Sequence, residues 1–179
     1  QIGCGGWRGL LPASMETSKT TSLRSDVHGT TTRPHNMVAR SGQLIALDSM
    51  VFIYYLDATD AHLHQKSARI IHMLLDNKVQ AVTSTISVLE TLAHPAYKDD
   101  VERLENYSLF FHSISGLRLI PVDVSIAEEA ARLRREFLHL RTPDSIQLAT
   151  AALAGATSFV TNDDRIKRLK KPPVPVRSL

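Results

Sequence analysis

From residue 44 onward the chain alternates short apolar runs with stretches whose apolar positions recur at helical spacing. Residues 44–48 (LIALD) form an apolar run closed by an acid, which predicts a strand, and a helix follows around residues 50–56. Apolar residues at 63, 70, 71, 74 and 75 draw one helical stripe across residues 62–76. Residues 79–83 (VQAVT) predict a second strand, and residues 86–93 a helix that Pro95 ends. A further helix is expected over 99–114, with Val101, Leu104, Leu109 and Phe111 among its apolar positions. Residues 117–122 (LRLIPV) read as a third strand. Across 125–138, Ile126, Ala130, Leu133 and Phe137 recur at i, i+4, i+7 and i+11, opposite Glu128 and Arg132. Residues 143–154 predict a small-residue helix ending at Gly155, residues 158–161 a fourth strand, and residues 174–177 offer a fifth. Strands alternating with helices imply an α/β fold whose central, mostly parallel sheet of four to five strands is covered on both faces.

Residues 1–43 lack any such period. They hold six of the eight glycines and eleven Ser or Thr, and such a segment buries too little apolar surface to offset the entropy of ordering it. A disordered or non-native leader over 1–43 is expected, with the folded domain spanning 44–179. No basic start followed by an apolar run marks a secretory signal. The Arg-, Ser- and Thr-rich, acid-poor composition loosely matches a mitochondrial transit peptide, but without an amphipathic helix. The chain opens on Gln, and a start near Met37 fits the pattern at least as well.

Composition narrows the class. The 179 residues are 43% apolar and 22% charged, in keeping with one globular domain. No run approaches the ~18 apolar residues that span a bilayer. The single cysteine, Cys4, excludes an intrachain disulfide and any cysteine-paired zinc or redox site. It points to a reducing, cytoplasmic setting. The net charge of +3 lies wholly in residues 1–43, leaving 16 of the 21 basic and 16 of the 18 acidic side chains in 44–179. The folded body is therefore neutral, and its charge alone makes no case for a nucleic-acid partner.

The acids are distributed less evenly. In open α/β sheets, ligands gather at the C-terminal ends of the strands. Asp48 closes the first predicted strand, and Glu90 lies one turn into the helix after the second. Asp144 opens the helix of Thr-Pro-Asp-Ser-Ile-Gln, and Asp163 follows the fourth strand in Phe-Val-Thr-Asn-Asp-Asp. Each has a plain structural reading as well. Asp48 could cap the next helix, and Glu90 could complete a capping box with Ser87. Thr142-Pro143-Asp144 suits a helix start with Thr as N-cap, and residues 162–164 an Asx-type turn. Together, however, four acids at one end of a sheet repel unless something positive sits between them. Oxygen donors without Cys or His favour Mg²⁺ or Mn²⁺ over Zn²⁺, and such an ion can activate water for attack at phosphorus.

Leu47-Asp48-Ser49-x-Val51, Ser87-Val88-Leu89-Glu90, Asp144-Ser145-Ile146-x-x-Ala149-x-Ala151 and Thr161-Asn162-Asp163 closely resemble the four motifs of the PIN-domain ribonucleases. The nearest likeness is to the VapC-type toxins of type II toxin–antitoxin pairs, and it covers essentially all of 44–179. The resemblance implies a Rossmann-like, three-layer α/β/α sandwich and a Mg²⁺- or Mn²⁺-dependent endoribonuclease. It also implies a homodimer, a cognate antitoxin protein as partner, and RNA as substrate. By position, Asp48, Glu90, Asp144 and Asp163 become the metal-binding, catalytic acids, with Ser49 and Thr161 as supporting hydroxyls. The chain departs from the family at Met50, where Asn is common, and in having Asp164 directly after Asp163. Asp163, two residues past Thr161, is the preferred fourth acid.

Arg141 and Arg165 flank two of the motifs and could grip an RNA backbone, or be ordinary surface charge. Other constellations fail. The rings of His62 and His64 point apart at i, i+2 on a helix, while His94, His112 and His139 have no spacing partners. Neither a P-loop nor a G-x-G-x-x-G loop occurs, and Met50 stands where a haloacid dehalogenase needs its second Asp. Phe52, Tyr54 and Tyr55 read as core and dimer surface. Two other readings remain: a catalytically weak RNA-binding or protein-interaction module on the same fold, and a DNA-directed metallonuclease with the same metal chemistry.

Overall fold

The computed structural model describes residues 43–179, so the expected leader lies outside the described residues. Strand β1 (Leu44–Leu47) leads into helices α1 (Ser49–Asp57) and α2 (Ala61–Leu75). Strand β2 (Gln80–Ser84) precedes α3 (Ile86–Leu92) and α4 (Val101–Ser113), and β3 (Leu117–Ile120) precedes α5 (Val124–Glu136) and α6 (Thr142–Leu153). Strand β4 (Ser158–Thr161), the four-residue α7 (Asp164–Lys167) and β5 (Val176–Ser178) complete the order.

All five strands are parallel, in the order β3-β2-β1-β4-β5. The chain lays down β1, β2 and β3 in one direction, then returns to place β4 on the other side of β1. The winding reverses between β1 and β4, and beyond the C-terminal ends of strands at such a reversal open α/β sheets gather ligands. That reversal sets the position of the site.

Side chains alternate across each strand and so feed two separate cores. Leu47, Ala81 and Val160 point into a cluster with Val51, Phe52, Tyr55, Ile71 and Leu74 of α1 and α2, joined by Tyr107, Phe110 and Phe111 of α4. Their strand neighbours Ala46, Val82 and Phe159 point the other way, onto Ile126, Ala130 and Leu133 of α5 and Leu148 and Ala149 of α6. The result is the expected three-layer sandwich.

The helix over 99–114 is present, and of its expected positions Phe111 and Leu104 face the core, but the rest of the buried face differs. Tyr107, Phe110 and Phe111 take the core, whereas Val101 and Leu109 are 64% and 52% exposed. The three aromatic residues share an i, i+3, i+4 face and carry more apolar area than the Val and Leu they displace. Helix α6 also starts one residue earlier than expected. Arg141 is its N-cap and no side chain caps it, so Thr142 is not the cap. Its other end closes as foreseen on Gly155, whose φ of 71° is the left-handed conformation that glycine adopts without a steric penalty. Among the described residues, no helix is long and apolar enough to cross a membrane.

Candidate active site at the sheet reversal

Asp48 sits directly on the reversal. Its backbone N–H donates to the Val160 carbonyl at 3.0 Å, which carries the β1–β4 ladder one step past the end of β1. The side chain is 6% exposed. Although Asp48 occupies the N-cap position of α1, it makes no capping bond with its side chain. Oδ1 accepts from the Ser49 hydroxyl at 3.1 Å and Oδ2 from the Thr161 hydroxyl. Burial pushes its carboxyl up to about 6. The Thr161 and Ser49 hydroxyls pull against that rise, and the charges of Glu90 and Asp144 add to it.

Asp144 lies in the first turn of α6, where the helix dipole favours an acid. Its Oδ2 is buried with no hydrogen-bond partner among the described residues. Burial raises this carboxyl too, Arg165 draws it down, and Asp163 raises it. Glu90, half-buried on α3, faces Asp48 closely enough to act on its proton affinity. Glu90 and Ser87 form no capping box, because the N-cap of α3 is Thr85.

Ser87 instead belongs to a buried relay that sequence reasoning missed. Thr83 Oγ1 donates to the Leu47 carbonyl at 2.8 Å and lies 2.6 Å from Ser87 Oγ. A hydroxyl has one proton, so Ser87 donates to Thr83 and accepts from Gln147 Nε2 at 2.6 Å. Gln147 Oε1 in turn faces the Ser84 N–H at 3.4 Å. This relay ties the end of β1, which carries Asp48, to α3, which carries Glu90, and to α6, which carries Asp144. Gln147 sits three residues past Asp144, on the inward side of α6, and that spacing was the available signal.

Asp163 takes the local reading the sequence allowed, at the turn after β4. Its side chain caps α7 by accepting the Arg165 N–H at 2.7 Å, and its own N–H donates to Thr161 Oγ1 at 2.9 Å. The Arg165 guanidinium grips the same carboxylate, with Nε 3.1 Å from both oxygens and Nη2 on Oδ2. That hydrogen bonding, led by the Arg165 side chain, holds Asp163 below the usual carboxylate range. Asp164 turns outward, 69% exposed, and pairs with Lys167 at 2.8 Å. Of the adjacent acids, Asp163 is the one whose charge bears on Asp144. Arg141, exposed at the start of α6, draws down both Asp144 and Asp163.

The donor set suits a hard divalent cation: oxygen atoms only, one buried carboxylate oxygen without a partner, and carboxyls whose ionised forms burial disfavours. As the side chains lie, no three His, Cys, Asp or Glu among the described residues are grouped closely enough to hold an ion, with Asp163 drawn onto Arg165. Among the described residues, no histidine joins a metal-holding group. His64 Nδ1 lies 3.1 Å from the Tyr54 carbonyl oxygen, and its ring stacks on Tyr55.

The family model for the PIN domain matches residues 45–172, a span that includes all four acids. No curated protein matches the chain. Among solved structures, VapBC2 from Rickettsia felis bound to a promoter DNA fragment is similar with a TM-score of 0.57 and 17% identity, over 76% of this chain and 98% of that one. A toxin–antitoxin complex from Klebsiella pneumoniae gives 0.52 and 23%, over 73% and 94%. VapC20 from Mycobacterium tuberculosis, a sarcin–ricin loop cleaving toxin, gives 0.51 and 18%, over 64% and 86%.

Proposed function

The chain belongs to the PIN domain family, and on that footing we propose that it is a metal-dependent endoribonuclease acting as the toxin of a toxin–antitoxin pair. The observation that carries this reading is the pairwise approach of Asp48 to Glu90 and Asp144, and of Asp144 to Asp163, near the sheet reversal, with Asp144 Oδ2 buried and unpartnered among the described residues. Four mutually repelling carboxylates cost stability unless they serve to hold positive charge.

Asp48, Asp144 and Asp163 are the acids assigned to hold one Mg²⁺ or Mn²⁺, with Glu90 reaching it through water or helping to hold a second. Such an ion would supply a water nucleophile at neutral pH and offset charge building on the phosphorus. The chain's own residues do the positioning. Ser49 and Thr161 fix both oxygens of Asp48, and the relay from Gln147 to Leu47 fixes the distances between β1, α3 and α6. Arg141 and Arg165 stand beside the acids with forked donors that suit backbone phosphates. An antitoxin partner is supported by the similarity to chains from toxin–antitoxin complexes, and a homodimer by the family resemblance.

The test is cleavage of a mixed RNA substrate by the full chain with Mg²⁺ or Mn²⁺, with EDTA, and with Asp48→Asn and Asp144→Asn. Metal-dependent cleavage that both substitutions abolish supports the enzyme and its site. Absence of cleavage together with absence of Mn²⁺ binding removes the enzyme and leaves a PIN-fold module that binds RNA or protein. A parallel DNA substrate separates the two nucleic acids.

A further inference from the structure

Clustered acids need compensating positive charge, and part of it here comes from the chain itself. The Arg165 guanidinium lies flat along Asp163, with Nε 3.1 Å from both carboxylate oxygens and Nη2 on one of them. The backbone N–H of Arg165 takes a further bond to Oδ1 at 2.7 Å. A carboxylate has about four lone-pair sites, so these bonds fill those of Asp163. The influence of Arg165 reaches further: its charge also bears on the half-buried Asp144 and the buried Asp48. It is 40% exposed at the start of a four-residue helix, so it can swing into solvent without opening the core.

We propose that Arg165 is an internal counter-ion of the acid cluster, one that a divalent cation must displace from Asp163 before that carboxylate can serve as a ligand. The inference rests on the metal-dependent reading above and adds to it a competition between two cations for the same oxygens. The capping bond from the Arg165 N–H can persist through the exchange, because it runs to the backbone rather than to the guanidinium. Once released, the guanidinium stays tethered two residues from Asp163 and is free to pair with a phosphate.

The test is calorimetric titration of the full-length, metal-free protein with Mn²⁺, comparing wild type with Arg165→Gln, Arg165→Lys and Asp163→Asn. Removing the competitor in Arg165→Gln is expected to tighten Mn²⁺ binding about fivefold, the equivalent of one partly exposed ion pair. Arg165→Lys keeps the charge and is expected to stay near wild type. In an Asp163→Asn background the gain from Arg165→Gln should shrink to less than half, leaving only its longer-range effect on Asp144 and Asp48, which a purely structural role for Arg165 does not require. Circular dichroism shows whether each variant is folded. Wild-type binding with no gain in Arg165→Gln, or a gain that survives Asp163→Asn undiminished, overturns the counter-ion. No Mn²⁺ binding by wild type removes the metal reading first, and the counter-ion with it.

Discussion

The hydroxyl of Thr161 donates to the carboxylate of Asp48, joining residues 113 positions apart across the β1–β4 junction. The same oxygen accepts the backbone N–H of Asp163 at 2.9 Å, so one side chain sets the spacing between the first acid and the fourth. Replacing it with the near-isosteric Val removes both bonds. Thr161→Val is expected to cost about 1–3 kcal/mol in urea unfolding, because it strips partners from buried groups. It should also raise the Asp48 carboxyl further, as carbon-detected NMR titration will show. Thr161→Ser should restore both.

The Asp48 carboxyl makes stability fall with rising pH in the metal-free protein. Burial pushes it up to about 6 from the ordinary carboxylate value near 3.8, so the folded state binds the proton more tightly than the unfolded state. The stabilisation is fully present below about pH 4 and is lost as pH climbs through about 6, with a total of about 3 kcal/mol from a shift of roughly two units. Asp163, held low, acts in the opposite direction at more acid pH. The Asp48 contribution is therefore read as a difference. Unfolding of Asp48→Asn in EDTA should lack the loss between pH 4 and 6 and should show the variant more stable than wild type at pH 7.

Gln147→Leu interrupts the relay at its first donor, leaving the Ser84 N–H and the Ser87 hydroxyl short of a partner. A loss of about 2 kcal/mol in chemical unfolding is expected. Mn²⁺ affinity should fall with it, because α3 and α6 lose the link that fixes Glu90 relative to Asp144. Gln147→Glu puts a charge into the same buried space and should be worse.

Asp163 and Asp164 are adjacent, yet only the charge of the first bears on Asp144. Asp164→Asn removes an exposed pair with Lys167 and is expected to leave RNA cleavage within about twofold of wild type. Asp163→Asn should lower cleavage by about a hundredfold or more, the scale of losing a charged group that supports transition-state electrostatics. Equal losses in the two variants would contradict the assignment.

The strands and the positions of the acids could be read from sequence because each depends on local order. Leu44-Ile45-Ala46-Leu47 is too short and apolar for anything but a buried strand, and an acid at its end falls where open sheets collect ligands. Which partner each acid takes depends on neighbours brought in by the fold. The choice of Asp163 for Arg165, and the outward turn of Asp164, depend on how a helix of only four residues leaves β4, and such a helix has no period to detect. Gln147 passed for an ordinary polar residue on a helix, because its burial appears only when α6 packs against β2. The exposed Val101 and Leu109 show the same limit from the apolar side: periodicity marks a stripe, and competition among side chains decides which part of it is covered.

The placement of β4 beside β1 also controls when the site comes into being. Strands β1, β2 and β3 can associate as they emerge during synthesis, but Thr161 and Asp163 reach Asp48 only after β4 has crossed back over the completed half. Contacts across such a span form late, since the loop must close before they stabilise anything. A growing polypeptide therefore keeps Asp48 apart from Thr161 and Asp163 until β4 has emerged and crossed back, and their contacts are among the last this sheet can make.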